Sequence, residues 1–286
     1  MPKEIPPQSQ EHQPGVESAL EPAALHIRAD YVGSGKLAGK KALISGGDSG
    51  IGRSVALHFA REGADIAILY LEEDEDAEET KRLVEKEGRQ CLLISGDVSS
   101  SVVCNDAVAQ TVKTLGGLDI LVNNAGIQVI SEDICSISDE EWQRHLNINV
   151  NGYFYLARAA VPHLSAGSAI INTSSINAFT GNKSLLAYST TKAAELGFTR
   201  ALSLELVTHG VRVNAVAPGP VWTPLQPASW GPVDPQAVAD LGKSTPMERC
   251  GDPAELGPAY VYLASQDASF VTGQTLHVNG GMIING

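Results

Sequence analysis

Basic residues are scarce in this chain: 20 Lys and Arg stand against 33 Asp and Glu in 286 residues, a formal net charge of -13 at pH 7. With no basic excess to neutralise phosphates, a nucleic-acid partner is not expected. Cysteine is scarcer still, at four. Cys91, Cys104, Cys135 and Cys250 show neither a CxxC spacing nor a nearby histidine pair, so no metal site and no disulfide framework is expected, only reduced thiols. Apolar stretches of membrane-spanning length are missing, and the opening Met1-Pro2-Lys3-Glu4-Ile5-Pro6-Pro7 has no apolar run of the signal-peptide kind. These absences lead us to expect a cytoplasmic protein with no membrane partner.

What is present suits a large packed core, with 43% hydrophobic and only 19% charged residues. Residues 1–38 are the exception. They are rich in Pro, Gln and Glu with little periodicity, which reads either as a disordered tail or as an extended arm laid on its own or a neighbouring subunit. No functional residue is expected there.

From Lys41 onward short apolar runs alternate with helical patterns. Lys41 to Ser45, Asp65 to Tyr70, Cys91 to Ser95, Ile120 to Asn123, Ser168 to Ser174, Val211 to Ala217 and Gln274 to Val278 read as strands. Strand-helix alternation over residues 39–286 predicts α/β architecture: a single doubly wound Rossmann-type domain, its seven-stranded parallel sheet carrying helices on both faces. Ligands of such a sheet gather beyond the carboxyl ends of the strands. Ser138, followed by Glu141 three residues on, predicts the start of a long helix reaching about His163. Asp252, with Pro253 and Glu255 behind it, predicts another start.

Two motifs carry chemistry. The first is the turn Ser45-Gly46-Gly47-Asp48-Ser49-Gly50-Ile51-Gly52, placed between a strand and a helix, which is the context of a nucleotide seat. Gly46 lets the chain turn, Gly50 admits a pyrophosphate to the backbone, and Gly52 lets the helix press on the sheet. Asp97-Val98 after the third strand can accept a bond from an adenine amine or simply cap a helix. Asn123-Asn124-Ala125-Gly126 ends the fourth strand with small residues that suit a nearby ribose or an ordinary turn. The second motif is Tyr188 and Lys192, four apart and so on one helix face. A phenol with an ordinary pKa of about 10 is a poor base near neutrality, and an adjacent ammonium pulls it toward the working range.

These residues resemble the short-chain dehydrogenase/reductase family over about residue 38 to the C-terminus. Its TGxxxGxG turn has Ser45 in place of Thr, its NNAG segment is Asn123 to Gly126, and its YxxxK pair is Tyr188 and Lys192. The arm and the turn further resemble a bacterial subgroup of glucose/ribitol dehydrogenase-like proteins or aldehyde reductases. The resemblance implies four catalytic residues. Tyr188 exchanges a proton with the substrate oxygen, and Ser175 orients and polarises that oxygen. Lys192 lowers the Tyr188 pKa and bonds the nicotinamide ribose, while Asn149 holds a water linking Lys192 to solvent. Pro218-Gly219 and Thr223 match the family's segment after the sixth strand. The implied cofactor seat comprises Gly46, Asp48, Ser49, Gly50, Ile51, Gly52, Tyr70, Asp97, Val98, Asn124, Ala125, Gly126, Tyr188, Lys192, Pro218, Gly219, Val221 and Thr223.

Cofactor choice is read at Tyr70-Leu71, where neither the acid of an NAD enzyme nor the base of an NADP enzyme stands. The following Glu72-Glu73-Asp74-Glu75-Asp76 disfavours an additional phosphate or serves only as a solvated helix start. NAD is therefore preferred, with NADP left open by Arg53, which can reach the 2′ position. The segment of about residues 221–249 is expected to form a substrate lid. It carries no Lys or Arg from Val221 through Leu241, which favours a neutral alcohol, sugar, polyol or aldehyde. Gln128, Asn177 and Trp222, with Ser175 and Tyr188, are the expected substrate contacts. Two rival functions stay open: an NADPH-dependent aldehyde or ketone reductase, and a non-catalytic dinucleotide-binding regulatory protein. Self-association is implied by the resemblance, as a homotetramer pairing through the helices that begin near Asp139 and Leu186.

Overall fold

The computed structural model describes residues 4–283, so Met1 to Lys3, which open the stretch read for a signal peptide, lie outside the described residues. The strands are β1 (Lys41–Ser45), β2 (Asp65–Tyr70), β3 (Cys91–Ser95), β4 (Ile120–Asn123), β5 (Ala169–Thr173), β6 (Arg212–Pro218) and β7 (Thr275–Val278). They form one parallel sheet in the order β3-β2-β1-β4-β5-β6-β7. Around it lie α1 (Gly50–Arg61), α2 (Asp74–Lys86), α3 (Ser101–Leu115), α4 (Asp139–His145), α5 (Gly152–Ala160), α6 (Asn177–Thr180), α7 (Leu186–Leu206), α8 (Leu225–Ser229), α9 (Pro235–Ala239) and α10 (Gly257–Ala264).

The strands read as unbroken apolar runs because both faces of the sheet are covered. Alternate residues serve opposite cores. Ala42, Ile44, Ile66, Ile68, Ile120 and Val122 pack with Val55 and Phe59 of α1 and Tyr260 of α10. Leu43, Ala67, Leu69 and Leu121 pack on the other face with Ala107 and Val108 of α3 and Leu156 of α5. A side chain such as Phe59, fully buried, contributes roughly 1.5–3 kcal/mol. A one-residue slip of β1 against β2, whose register runs Lys41↔Asp65 to Ser45↔Leu69, would exchange the two cores.

Chain order reverses at β1, which has β2 on one side and β4 on the other. That reversal opens a crevice beyond the carboxyl ends of the two strands, where ligands of such sheets bind. Ser45 ties the crevice walls together: its hydroxyl accepts from the backbone N–H of Asn124 at 3.0 Å and of Ala125 at 3.2 Å.

Two helix expectations are refined. Ser138 accepts from the Glu141 N–H at 3.1 Å, and helical backbone runs on to His163, but Leu146–Asn151 is a π-helical segment between α4 and α5. Asp252 opens only a 3-10 turn, Pro253–Glu255; α10 starts at Gly257 because that turn comes between.

Candidate active site

Beyond the strand ends lies a cavity of about 670 Å³. Its walls include Gly46, Asp48, Ser49, Gly50, Ile51, Tyr70, Asp97, Val98, Asn124, Ala125 and Gly126 on one side. Ser175, Asn177, Tyr188, Lys192, Pro218, Gly219, Val221 and Thr223 line the other. Gln128 reaches it as well, its Nε2 donating to the Ser229 hydroxyl at 2.9 Å. Asp97 lines the cavity and accepts from the Ser99 N–H at 2.8 Å, a local turn rather than the cap of α3, which Ser100 supplies.

The glycine turn has room for a dinucleotide only because side chains are missing. Gly46 sits at φ +64°, and a Cβ there would stand 3.1 Å from both the Ala125 Cα and the Asn124 side-chain nitrogen. A Cβ on Gly52 would fall 1.8 Å from the Gly46 carbonyl oxygen, so Gly52 shapes the turn by close packing and does not itself line the cavity. Ile51 stands at the amino end of α1, where helical N–H groups favour an anion. A cradle this bare beside a helix end fits a dinucleotide.

Tyr188 and Lys192 share one face of α7, both buried, with the Lys192 ammonium 5.6 Å from the Tyr188 ring centroid. Ser175 lines the same cavity as the phenol. Burial pushes the Tyr188 pKa up; Lys192 and Ser175 pull against it, and the balance stays above the ordinary value. The Lys192 charge pulls the phenol down, as expected, but burial outweighs it, and the ammonium has other partners. It donates to the Thr173 carbonyl at 2.8 Å, to Glu195 Oε1 at 2.8 Å and to the Tyr153 hydroxyl at 3.5 Å.

Asn149 lies in the π-helical segment, the kind of local widening that is common at functional sites. Its side chain accepts from the Ile127 N–H at 2.9 Å and donates to the Ile127 carbonyl and the Thr191 hydroxyl, each at 3.0 Å. These bonds fix the Asn149 side chain against the Ile127 backbone. Asn149 and Lys192 nevertheless converge on Gly126, where a Cβ would stand 3.3 Å from Asn149 Oδ1 and 3.6 Å from Lys192 Nζ.

Three sequence expectations are overturned by contacts that are remote in the chain. Trp222 faces away from the cavity: its indole donates to the Pro22 carbonyl at 2.7 Å, and its ring packs with Leu20, Val238 and Cys250. Trp230, eight positions on, lines the cavity in its place. Arg53 is not free to reach a 2′ substituent, since it is buried, pairs with Asp76 at 3.3 Å and holds the Asp48 carbonyl at 2.9 Å. The segment before β1, read as lacking functional residues, brings Gln13, Pro14 and Gly15 to the cavity wall. Gln13 accepts from the Gln128 N–H at 2.9 Å and donates to its carbonyl at 2.5 Å. Residues more than a hundred positions apart meet here, and no local spacing signals it.

The family model described as enoyl-(acyl carrier protein) reductase matches residues 46–283. The chain belongs to the short-chain dehydrogenase/reductase family. This dehydrogenase/reductase is 54% identical over 283 residues to general stress protein 39 of Bacillus subtilis (strain 168), covering 99% of this chain and 98% of that one. It is 47% identical over 289 residues to the glucose and ribitol dehydrogenase of Daucus carota, covering 99% and 98%. A short-chain dehydrogenase from Burkholderia cenocepacia J2315, solved in complex with NADP, is similar in fold with a TM-score of 0.80 at 30% identity, over 86% of this chain and 98% of that one. The protein is an NAD(P)-dependent oxidoreductase acting on CH–OH groups.

Proposed function

We propose that the protein interconverts a neutral alcohol, a polyol or sugar, and its carbonyl counterpart, with Tyr188 as the acid/base and NAD as the preferred cofactor. The observation that carries this reading is that Ser175, Tyr188 and Lys192 line the same cavity as the glycine turn. When bound, the nicotinamide accepts or returns the hydride. In the oxidative direction the Tyr188 phenolate takes the hydroxyl proton as the carbon–hydrogen bond breaks, and Ser175 donates to the same substrate oxygen. In reduction the phenol returns that proton. Residues 221–249, with α8 and α9, act as the lid; Trp230, Asp234 and Asp240 are among its cavity-lining residues, and two carboxylates there suit an uncharged substrate better than an anionic one.

The end of β2 supports NAD. The Tyr70 hydroxyl donates to Asp74 at 2.7 Å, Glu72 and Glu73 follow, and Arg53 is sealed by Asp76. Glucose and ribitol are acted on by the relative from Daucus carota, by its name, and are the first substrates to try. A second reading, NADPH-dependent carbonyl reduction, is favoured by the NADP in the Burkholderia cenocepacia neighbour.

Fluorescence titration with both dinucleotides, followed by turnover assays on polyols, sugars and aldehydes, tests these readings. Tighter binding of NAD and turnover of a polyol or sugar are expected. Tyr188→Phe is expected to lower kcat about 10²- to 10⁴-fold while still binding NAD. Retained turnover in that variant would remove Tyr188 from the acid/base role. Tight NAD binding without turnover over the whole panel would point to the non-catalytic regulatory function instead.

A further inference from the structure

Three residues beyond Lys192, helix α7 turns a third ionisable side chain into the core. Glu195 is 1% exposed, as enclosed as any leucine of the sheet. Its Oε1 takes a hydrogen bond from the Lys192 ammonium at 2.8 Å, and its Oε2, equally buried, has no hydrogen-bond partner among the described residues. Burying a carboxylate costs several kcal/mol even when it is paired, and an apolar side chain of similar size would fill the space without that cost. A neutral acceptor could take the third N–H of the Lys192 ammonium, whose other two go to the Thr173 carbonyl and the Tyr153 hydroxyl. What Glu195 adds is a negative charge beside the cation that acts on Tyr188.

We propose that Glu195 is a positioning residue: it draws the Lys192 ammonium toward the Thr173 carbonyl and offsets its charge as felt by Tyr188, so that the phenol ionises at higher pH than beside Lys192 alone. This rests on the acid/base reading of Tyr188. The titratable groups around the carboxylate are few. Lys192 and Tyr188 face it from α7 itself, Tyr153 from α5 and Tyr260 from α10. Each of the three phenols is pushed up by burial first and by the Glu195 charge as well. Burial in turn lifts the Glu195 carboxyl to about 8 against the pull of Lys192. Below that pH the carboxyl is neutral and the Lys192 charge acts on Tyr188 in full; above it the offset is in place.

The test compares wild type with Glu195→Gln, which keeps the shape and removes the charge, and with Glu195→Asp, which restores it. Two quantities are followed: the pH profile of kcat/KM for alcohol oxidation, and the ultraviolet tyrosinate titration of the cofactor-free protein, with Tyr188→Phe subtracted to isolate Tyr188. Glu195→Gln is expected to move the acid limb of oxidation and the Tyr188 transition to lower pH together, by on the order of one unit, and Glu195→Asp to move both back. Curves that superimpose on wild type, in a variant whose thermal unfolding shows it folded, overturn the proposal. Should Glu195→Gln fail to fold, Glu195→Leu is expected to give the same shift, because it too lacks the charge. The tyrosinate titration needs no turnover. It therefore judges Glu195 even if Tyr188→Phe remains active and the acid/base reading falls.

Discussion

His58 shows how a single buried ring sets a pH limit on the fold. It lies within α1 with no exposed surface, and its Nδ1 donates to the Ser54 carbonyl at 2.7 Å. Tyr31 meets it edge-on with ring centroids 4.6 Å apart, and a Cβ on Gly257 would stand only 2.1 Å from its ring. Such a site accepts the neutral ring and rejects the imidazolium; burial lowers its pKa from 6.5 to about 4. The unfolded chain binds the proton more readily than the folded one between those values. The associated stability is therefore complete above pH 6.5 and is lost as pH falls to about 4. It amounts to roughly 3 kcal/mol. Denaturant unfolding of wild type and His58→Gln across that interval should give a difference that grows with pH; a constant difference would contradict the assignment. The tightness around His58 was not legible in the sequence, where Gly257 and His58 stand nearly two hundred positions apart. Tyr188, Lys192 and Ser175 were legible, because one helix and one strand end fix them at constant spacing. Trp222 and Trp230 were not, since which of two tryptophans faces the cavity depends on Leu20 and Pro22 arriving from the far end of the chain.

At the level of elements, the segment before β1 works as part of α1. Glu17 accepts the Gly50 N–H at 2.7 Å at the amino end of that helix, and its other oxygen lies 3.2 Å from His26. Burial pushes the Glu17 pKa up, but His26, Arg53 and the Gly50 N–H outweigh it and hold the carboxyl below its ordinary range. Its own N–H donates to Asp76 at 2.7 Å, the residue that pairs with Arg53, so one short turn fastens α1 and α2 together. Glu17→Ala removes a charged cap and leaves the Gly50 donor and His26 with less support, while the backbone N–H that Asp76 accepts is kept. A loss of about 1–2 kcal/mol is expected, read as a lower melting temperature, together with faster proteolytic cleavage within residues 4–38. Unchanged cleavage would show that the segment is held elsewhere. The strands were placed from the sequence to within a residue at each end because sheet burial makes them continuous apolar runs. The π-helical segment at Asn149 was not, since it is set by the side chain's bonds to Ile127 and Thr191 rather than by any periodicity.

At the scale of the whole molecule, the charge of -13 and the remaining exposed apolar groups pull in opposite directions. Phe154 on α5 is 44% exposed with the Arg158 guanidinium 5.0 Å from its ring, and Leu204 on α7 is 77% exposed. Both stand on the helical columns through which relatives of this kind are expected to pair. We expect a homo-oligomer, a tetramer, that covers them. Each chain brings its negative charge to such an assembly, so the apolar contact has to outweigh a repulsion that salt screens over about 10 Å at 0.1 M ionic strength. Association should accordingly weaken as salt is withdrawn, opposite to the behaviour of an interface built on ion pairs. Light scattering or sedimentation across a salt series reads this directly. Phe154→Glu, which puts a negative charge where an apolar contact is needed, should lower the mass further at every ionic strength while leaving the melting profile of the isolated chain close to wild type. A wild-type mass equal to one chain throughout the series would mean that these side chains stay in water and that the pairing inferred for the family does not extend to this surface.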